Sequence, residues 1–254
     1  MSIYQKLLEI SKAKGAGFLV LLDPDKIDQK KLKQKISVFE ENGVDGILIG
    51  SSLLLSTGFD ETIKEIKSSV KIPVIIFPGN AYQISRWADA ILFLSLVSGR
   101  NPNFLIGEHV KAAAAIKEFN LEAIPTGYMI FDSGKMTSVL FMSDTRPIPF
   151  DKPDIAKAHA LAAEYLGMKL IYLEAGSGAK ASIPNDVVSE VKRYISLPLI
   201  VGGGIKDPQV AESKVKNGAN FVVMGNTLET DLDPKRLKEM SDAIHGKSKE
   251  SRIN

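Results

Sequence analysis

The chain contains no cysteine, so disulfides, thiolate metal sites and a cysteine nucleophile are all excluded. It carries almost no net charge: 32 Lys and Arg stand against 30 Asp and Glu. A nucleic-acid binder would show a clustered basic excess, and this balance argues against one. No apolar run reaches the ~18 residues needed to span a bilayer. Residues 1–15 are Lys-containing and amphipathic, without the apolar stretch and small-residue cleavage site of a signal peptide. A soluble cytoplasmic protein is expected, with at most peripheral contact with a membrane. Histidine is scarce as well: His109, His159 and His245 lie in helical stretches without metal-ligand spacing and read as surface or packing residues.

What is present is ordinary for a globular protein, with 44% hydrophobic and 24% charged residues. Eight short runs rich in Val, Ile, Leu and Phe recur along the 254 residues, at 17–22, 45–49, 74–77, 90–94, 122–129, 169–173, 199–201 and 220–224. They are near-continuous rather than alternating, as strands covered on both faces should be. Amphipathic helical patterns follow at 29–41, 103–119, 153–166, 184–194, 208–217 and 234–244. Asn101-Pro102, Asp207-Pro208 and Asp233-Pro234 supply an N-cap followed by a first-turn proline. Gly43 and Gly218 stand where helices should end. Alternating strand and helix implies a parallel sheet, and eight units in about 250 residues imply a closed (β/α)₈ barrel, a TIM barrel. No linker is visible, so residues 1–254 are expected to form a single domain with a frayed tail at 247–254.

Two departures from regularity stand out. The connection 77–90, which holds Tyr82 and the only tryptophan, Trp87, is too short for a normal crossover helix with its loops. Spacing alone leaves open whether the third helix is short or absent; its absence would leave a groove in the helical ring. The stretch 131–152 is longer than most loops in compact domains, and such loops are usually functional lids.

Active sites of this fold lie at the C-terminal ends of the strands. There the sequence places Asp23-Pro24-Asp25-Lys26, Gly50-Ser51-Ser52, Glu174-Ala175-Gly176-Ser177-Gly178, Gly202-Gly203-Gly204-Ile205 and Gly225-Asn226-Thr227. Converging backbone N–H groups hold a phosphate well, and glycines let the chain approach it. Three glycine-rich loops after strands six, seven and eight therefore predict a phosphate site, to which Ser177 adds a hydroxyl. Asp23 and Asp25 are candidates for Mg²⁺, which takes one or two carboxylates together with substrate phosphate oxygens and waters. Ser52, one strand along, can complete such a shell; alternatively Asp23 only caps a turn. Glu174 can accept a proton from a substrate hydroxyl or fix it by hydrogen bonding. Tyr172, two residues earlier, shares its face of strand six. Ser177 has no histidine partner at the rim, which argues against a hydrolase triad.

These segments together resemble the geranylgeranylglyceryl phosphate synthase family, which includes the heptaprenylglyceryl phosphate synthases. The carrying motifs are Leu22-Asp23-Pro24-Asp25-Lys26, Gly50-Ser51-Ser52, Tyr172-Leu173-Glu174-Ala175-Gly176-Ser177-Gly178, Val201-Gly202-Gly203-Gly204-Ile205 and Gly225-Asn226. They run from the first strand to the last, and the segment 172–178 is the most specific. The resemblance implies a prenyltransferase of ether-lipid biosynthesis. It would join a geranylgeranyl group from its diphosphate to the C3 hydroxyl of sn-glycerol 1-phosphate. Asp23 and Ser52 match the family's Mg²⁺ positions. Tyr172, Leu173, Glu174, Ala175, Gly176, Ser177, Gly178, Gly203, Gly204, Gly225 and Asn226 match its glycerol-phosphate positions, with Glu174 and Tyr172 as the catalytic pair. The family barrel lacks a regular third helix, which implies a prenyl groove at 77–90. Length and Ser52 look like the larger, archaeal-type branch, whose members are often dimers or hexamers. Two other readings use the same phosphate loops. A sugar-phosphate isomerase or aldolase-like barrel would need a paired acid and base or a Schiff-base lysine. A bare phosphate sensor would leave Asp23, Ser52 and Glu174 without a role.

Overall fold

In a computed structural model that describes residues 1–225 and 233–246, eight parallel strands close into a barrel in sequence order, β1 pairing with β8. The strands are β1 (Gly17–Leu22), β2 (Gly46–Ile49), β3 (Val74–Ile76), β4 (Ala90–Leu96), β5 (Glu122–Ile130), β6 (Leu170–Glu174), β7 (Leu199–Gly202) and β8 (Phe221–Met224). The helices are α1 (Ile3–Lys14), α2 (Leu32–Glu41), α3 (Phe59–Ser69), α4 (Glu108–Glu118), α5 (Ser138–Ser143), α6 (Pro153–Tyr165), α7 (Asn185–Tyr194), α8 (Pro208–Lys216) and α9 (Pro234–Ile244). The expected tail at 247–254, and Asn226 with Thr227, lie outside the described residues.

The continuous apolar runs become two cores because successive side chains of a strand point to opposite faces. Phe18, Val20 and Leu22 of β1 pack outward against the helices, whereas Leu19 joins Leu48, Ile75, Leu92, Leu170 and Phe221 inside the barrel. The N-terminal amphipathic pattern is α1, opened by a capping box between Ser2 and Gln5. Its Leu7 enters the inner core, and Glu122 accepts the Ile3 and Tyr4 N–H groups. The opposite, C-terminal mouth is left for chemistry.

Several boundaries move for identifiable reasons. Asp45 precedes β2 because its buried carboxylate is occupied by Lys14, His245 and the Phe18 N–H. That makes His245 a hydrogen-bond partner of Asp45 on the face away from the site. The 103–119 pattern opens as a π turn, Asn103–Gly107, before α4, and 29–41 opens as a 3₁₀ turn. Asp233 caps the Lys235 N–H at 2.9 Å, but the Asp207 side chain makes no such bond. Gly43 and Gly218 do end helices, at φ +87° and +104°. Between β3 and β4 there is no helix.

Candidate active site

At the C-terminal mouth a cavity of about 230 Å³ runs from the loops after β6, β7, β8 and β1 to the gap beside β3 and β4. Asp23, Ser52, Tyr172, Glu174, Gly176, Ser177, Gly178, Gly203, Gly204 and Gly225 all line it. Leu173 and Ala175 do not: their side chains belong to the outer core, so only their backbone is available to this site. The Ala175 N–H is itself taken by the Gly202 carbonyl at 3.1 Å.

Glu174 ends β6 with its carboxylate buried at the centre of the cavity wall. Oε1 accepts the Gly176 N–H at 2.6 Å. Burial pushes its pKa up to about 7, and the Gly176 N–H offsets part of that rise. The carboxyl is thus poised to exchange a proton near neutral pH. Tyr172 shares its face, as strand alternation requires. Its ring stacks on Phe77 at 5.2 Å and meets Tyr128 edge-on at 5.4 Å. The Tyr172 hydroxyl lies against the Glu174 carboxyl without a well-formed hydrogen bond, and burial followed by the Glu174 charge holds its pKa well above the usual phenol value. A buried hydroxyl so poorly bonded beside a carboxyl is a group that a bound polar molecule can satisfy.

The glycine loops differ from the simple phosphate-cradle reading. Gly203 and Gly204 adopt φ +81° and +69°. A β-carbon on Gly203 would meet Glu174 Oε1 and the Ala175 and Gly176 nitrogens, and one on Gly204 would meet the Ala181 and Ser182 backbone. Packing against the β6–α7 loop already demands glycine at both. Gly225 is different: among the described residues the nearest atom to a β-carbon there is 3.5 Å away, an ordinary contact distance.

At the β1 end, Asp23 Oδ1 accepts the Asp25 N–H at 3.2 Å and Oδ2 pairs with Lys26 at 2.9 Å. The capping role and the cavity-facing role therefore coexist. Asp25 turns away from the cavity; its carboxylate accepts the Leu55 and Ser56 N–H groups, both at 2.8 Å. Although its slight burial opposes ionisation, those bonds and Lys26 hold its pKa below the usual value.

The helix-free β3–β4 connection opens an apolar groove. Ala81 and Ile84 form one wall, and Phe93, Phe104, Ala112 and Ile116 the other. Tyr82 and Trp87, the aromatics of this connection, do not line it. Tyr82 is exposed, and Trp87 donates its indole N–H to Asp60 at 3.0 Å beneath Lys64. The lining aromatics are Phe77, Phe93, Phe104, Tyr128 and Tyr172. His109 also lines the groove, edge-on to Phe93 at 4.3 Å, with a pKa lowered by burial that keeps it neutral. The 131–152 stretch contains α5, whose Val139, Met142 and Ser143 roof the cavity. Sequence reasoning missed Tyr128, Val139 and Met142. Tyr128 carried a usable signal, since it pairs in register with Tyr172 across adjacent strands.

A family model described as the PcrB family matches residues 8–244. A protein named geranylgeranylglyceryl phosphate synthase from Chitinophaga pinensis is 44% identical over 244 residues, 96% of each chain. Its namesake from Korarchaeum cryptofilum is 41% identical over 234 residues, 92% of this chain and 96% of that one. Among solved structures, (S)-3-O-geranylgeranylglyceryl phosphate synthase from Thermoplasma acidophilum, in complex with its substrate sn-glycerol-1-phosphate, superposes with a TM-score of 0.92 at 33% identity, covering 97% of this chain and 99% of that one.

Proposed function

The chain belongs to the PcrB family, and from that premise we propose that it transfers a geranylgeranyl group from its diphosphate to the C3 hydroxyl of sn-glycerol 1-phosphate. The observation that carries this reading is one cavity with a glycine-lined polar end, a buried carboxyl at its centre and an apolar groove beyond. An isomerase or a phosphate sensor has no use for that groove.

The reaction forms a bond between the glycerol C3 oxygen and the allylic carbon C1, and breaks the bond from C1 to the diphosphate. Glu174 takes the C3 hydroxyl proton, and diphosphate leaves with the bonding electron pair. A base with a pKa of about 7 is matched to neutral pH. Tyr172, whose hydroxyl makes no well-formed bond, is positioned to bond the glycerol phosphate beside Glu174. The loops bearing Ser177, Gly203 and Gly225 receive the phosphate, and Asn226 is proposed to join them. The groove takes the prenyl chain, at ~0.8 kcal/mol for each buried CH₂.

Asp23 and Ser52 fit a Mg²⁺ ion shared with the substrate. They offer hard oxygen donors from the loops after the adjacent strands β1 and β2, and both line the cavity. When bound, the ion would neutralise charge on the departing diphosphate. Among the described residues no helix is long and apolar enough to cross a membrane, in keeping with a cytoplasmic enzyme. Exposed Tyr165, Leu166 and Tyr194 on the α6–α7 side support a homo-oligomer, a dimer or hexamer.

The test is incubation with sn-glycerol 1-phosphate, Mg²⁺ and an equimolar set of prenyl diphosphates, followed by product mass. A geranylgeranylglyceryl phosphate product is expected. A product of another chain length would revise the donor, and no ether product would overturn the reading.

A further inference from the structure

The loop after β2, which brings Ser52 to the cavity, is held from both sides by side chains of neighbouring loops. Gln83 is fully buried in the helix-free β3–β4 connection. Its Oε1 accepts the Ser51 N–H at 3.0 Å, and its Nε2 donates to the Ser51 carbonyl at 2.7 Å. The primary amide supplies a donor and an acceptor side by side, matching the carbonyl and N–H of one residue. Gly79, in the same connection, lies so near that a β-carbon there would collide with the Ser51 carbonyl oxygen. Further along the loop, Asp25 grips the Leu55 and Ser56 N–H groups. Ile84, next to Gln83, and Ala81, two residues before it, form a wall of the apolar groove. One side chain therefore joins the wall that would hold a prenyl chain to the loop that would hold its diphosphate.

We infer that Gln83 is a positioning residue that couples prenyl-chain binding in the groove to the placement of the Ser51-Ser52 loop, with Asp25 anchoring the loop's far end. The inference rests on the proposed prenyl diphosphate substrate. Ordering of residues 79–84 by the chain is passed to Ser51 through the two amide bonds, so a longer chain presents its diphosphate to a better-fixed loop. Gln83 touches no reacting atom in this account.

Gln83→Met keeps the size but removes both bonds, leaving a buried donor and acceptor unsatisfied. Gln83→Leu also removes both bonds with a smaller apolar side chain, and serves if the methionine variant does not fold. The first readout is amide hydrogen exchange at Ser51, with and without geranylgeranyl diphosphate and in the absence of glycerol phosphate. Wild type should gain protection on adding the diphosphate, and the variant should not. The second is kcat/KM with geranyl and with geranylgeranyl diphosphate. Loss of the buried bonds should cost about tenfold with the longer donor and much less with the shorter one. Thermal stabilisation by sn-glycerol 1-phosphate should stay unchanged. Equal losses with both donors, or equal Ser51 protection in variant and wild type, would reduce Gln83 to a fold-stabilising residue and overturn the coupling. Wild-type turnover tests the functional reading on its own. Ser51 exchange tests the coupling even if no transfer occurs.

Discussion

Glu174 and Gly203 face each other so closely that a β-carbon on Gly203 would stand 2.5 Å from Glu174 Oε1. The strand-seven loop thereby fixes where the proposed base can point. Gly203→Ala should displace the carboxylate and strain a backbone held at φ +81°, a conformation that costs a non-glycine residue roughly 1–2 kcal/mol. Both melting temperature and turnover should fall. Gly225→Ala should instead leave the melting temperature close to wild type, because no described residue crowds its β-carbon, while weakening stabilisation by sn-glycerol 1-phosphate. An unchanged ligand shift in Gly225→Ala would move the anion away from the β8 loop.

The same burial that tunes Glu174 should cost stability. Folding raises its pKa from 4.5 to about 7. An acid shifted upward binds its proton more tightly in the folded state, so its contribution is best below the unfolded value and worsens as pH climbs towards 7. A shift of this size corresponds to roughly 3 kcal/mol. Glu174→Gln keeps an acceptor for the Gly176 N–H without the charge. Denaturant unfolding should find the variant more stable than wild type near pH 8, with the gap closing near pH 4.5. A gap independent of pH would mean that the carboxyl does not titrate in this range.

The groove prediction turns on Ala112, a small α4 residue on its wall. Ala112→Phe should fill space needed by the distal isoprene units. Geranylgeranyl transfer should fall by ~10-fold or more, since several CH₂ groups lose their burial, while geranyl transfer persists. Parallel losses for both donors would place the chain elsewhere.

Asp23 sits at the rim, outside both apolar cores, so Asp23→Asn should fold normally and lose prenyl transfer. Chelation of divalent ions should have the same effect on wild type. Full activity in either experiment would end the proposed role of Mg²⁺.

Much of this architecture is legible in the sequence because parallel barrel strands are buried on both faces and so read as unbroken apolar runs. The rim loops were legible because glycine and acidic residues interrupt those runs at fixed places. Helix α3 went unread, although Phe59, Thr62, Ile63 and Ile66 repeat with helical spacing. Gly58, in place of a polar cap, hides its start. Helix α5 has six residues, too few to display a period. Spacing places Tyr82 and Trp87 in the connection beside the groove without fixing their direction, and neither lines it. The direction of Asp25 was equally hidden: a carboxylate two residues from Asp23 was a candidate ligand until its bonds to Leu55 and Ser56 could be seen.

The most direct test of the account is single-turnover prenyl transfer by wild type and Glu174→Gln across pH, with sn-glycerol 1-phosphate affinity measured on both proteins. The wild-type rate should rise with an ionisation near 7, the value to which burial brings Glu174. The variant should lose that rise and fall by ~10²–10⁴-fold, the usual contribution of a general base, while its affinity changes far less. Equal losses of rate and affinity would make Glu174 a binding group only, and an undiminished rate would contradict its role as the base.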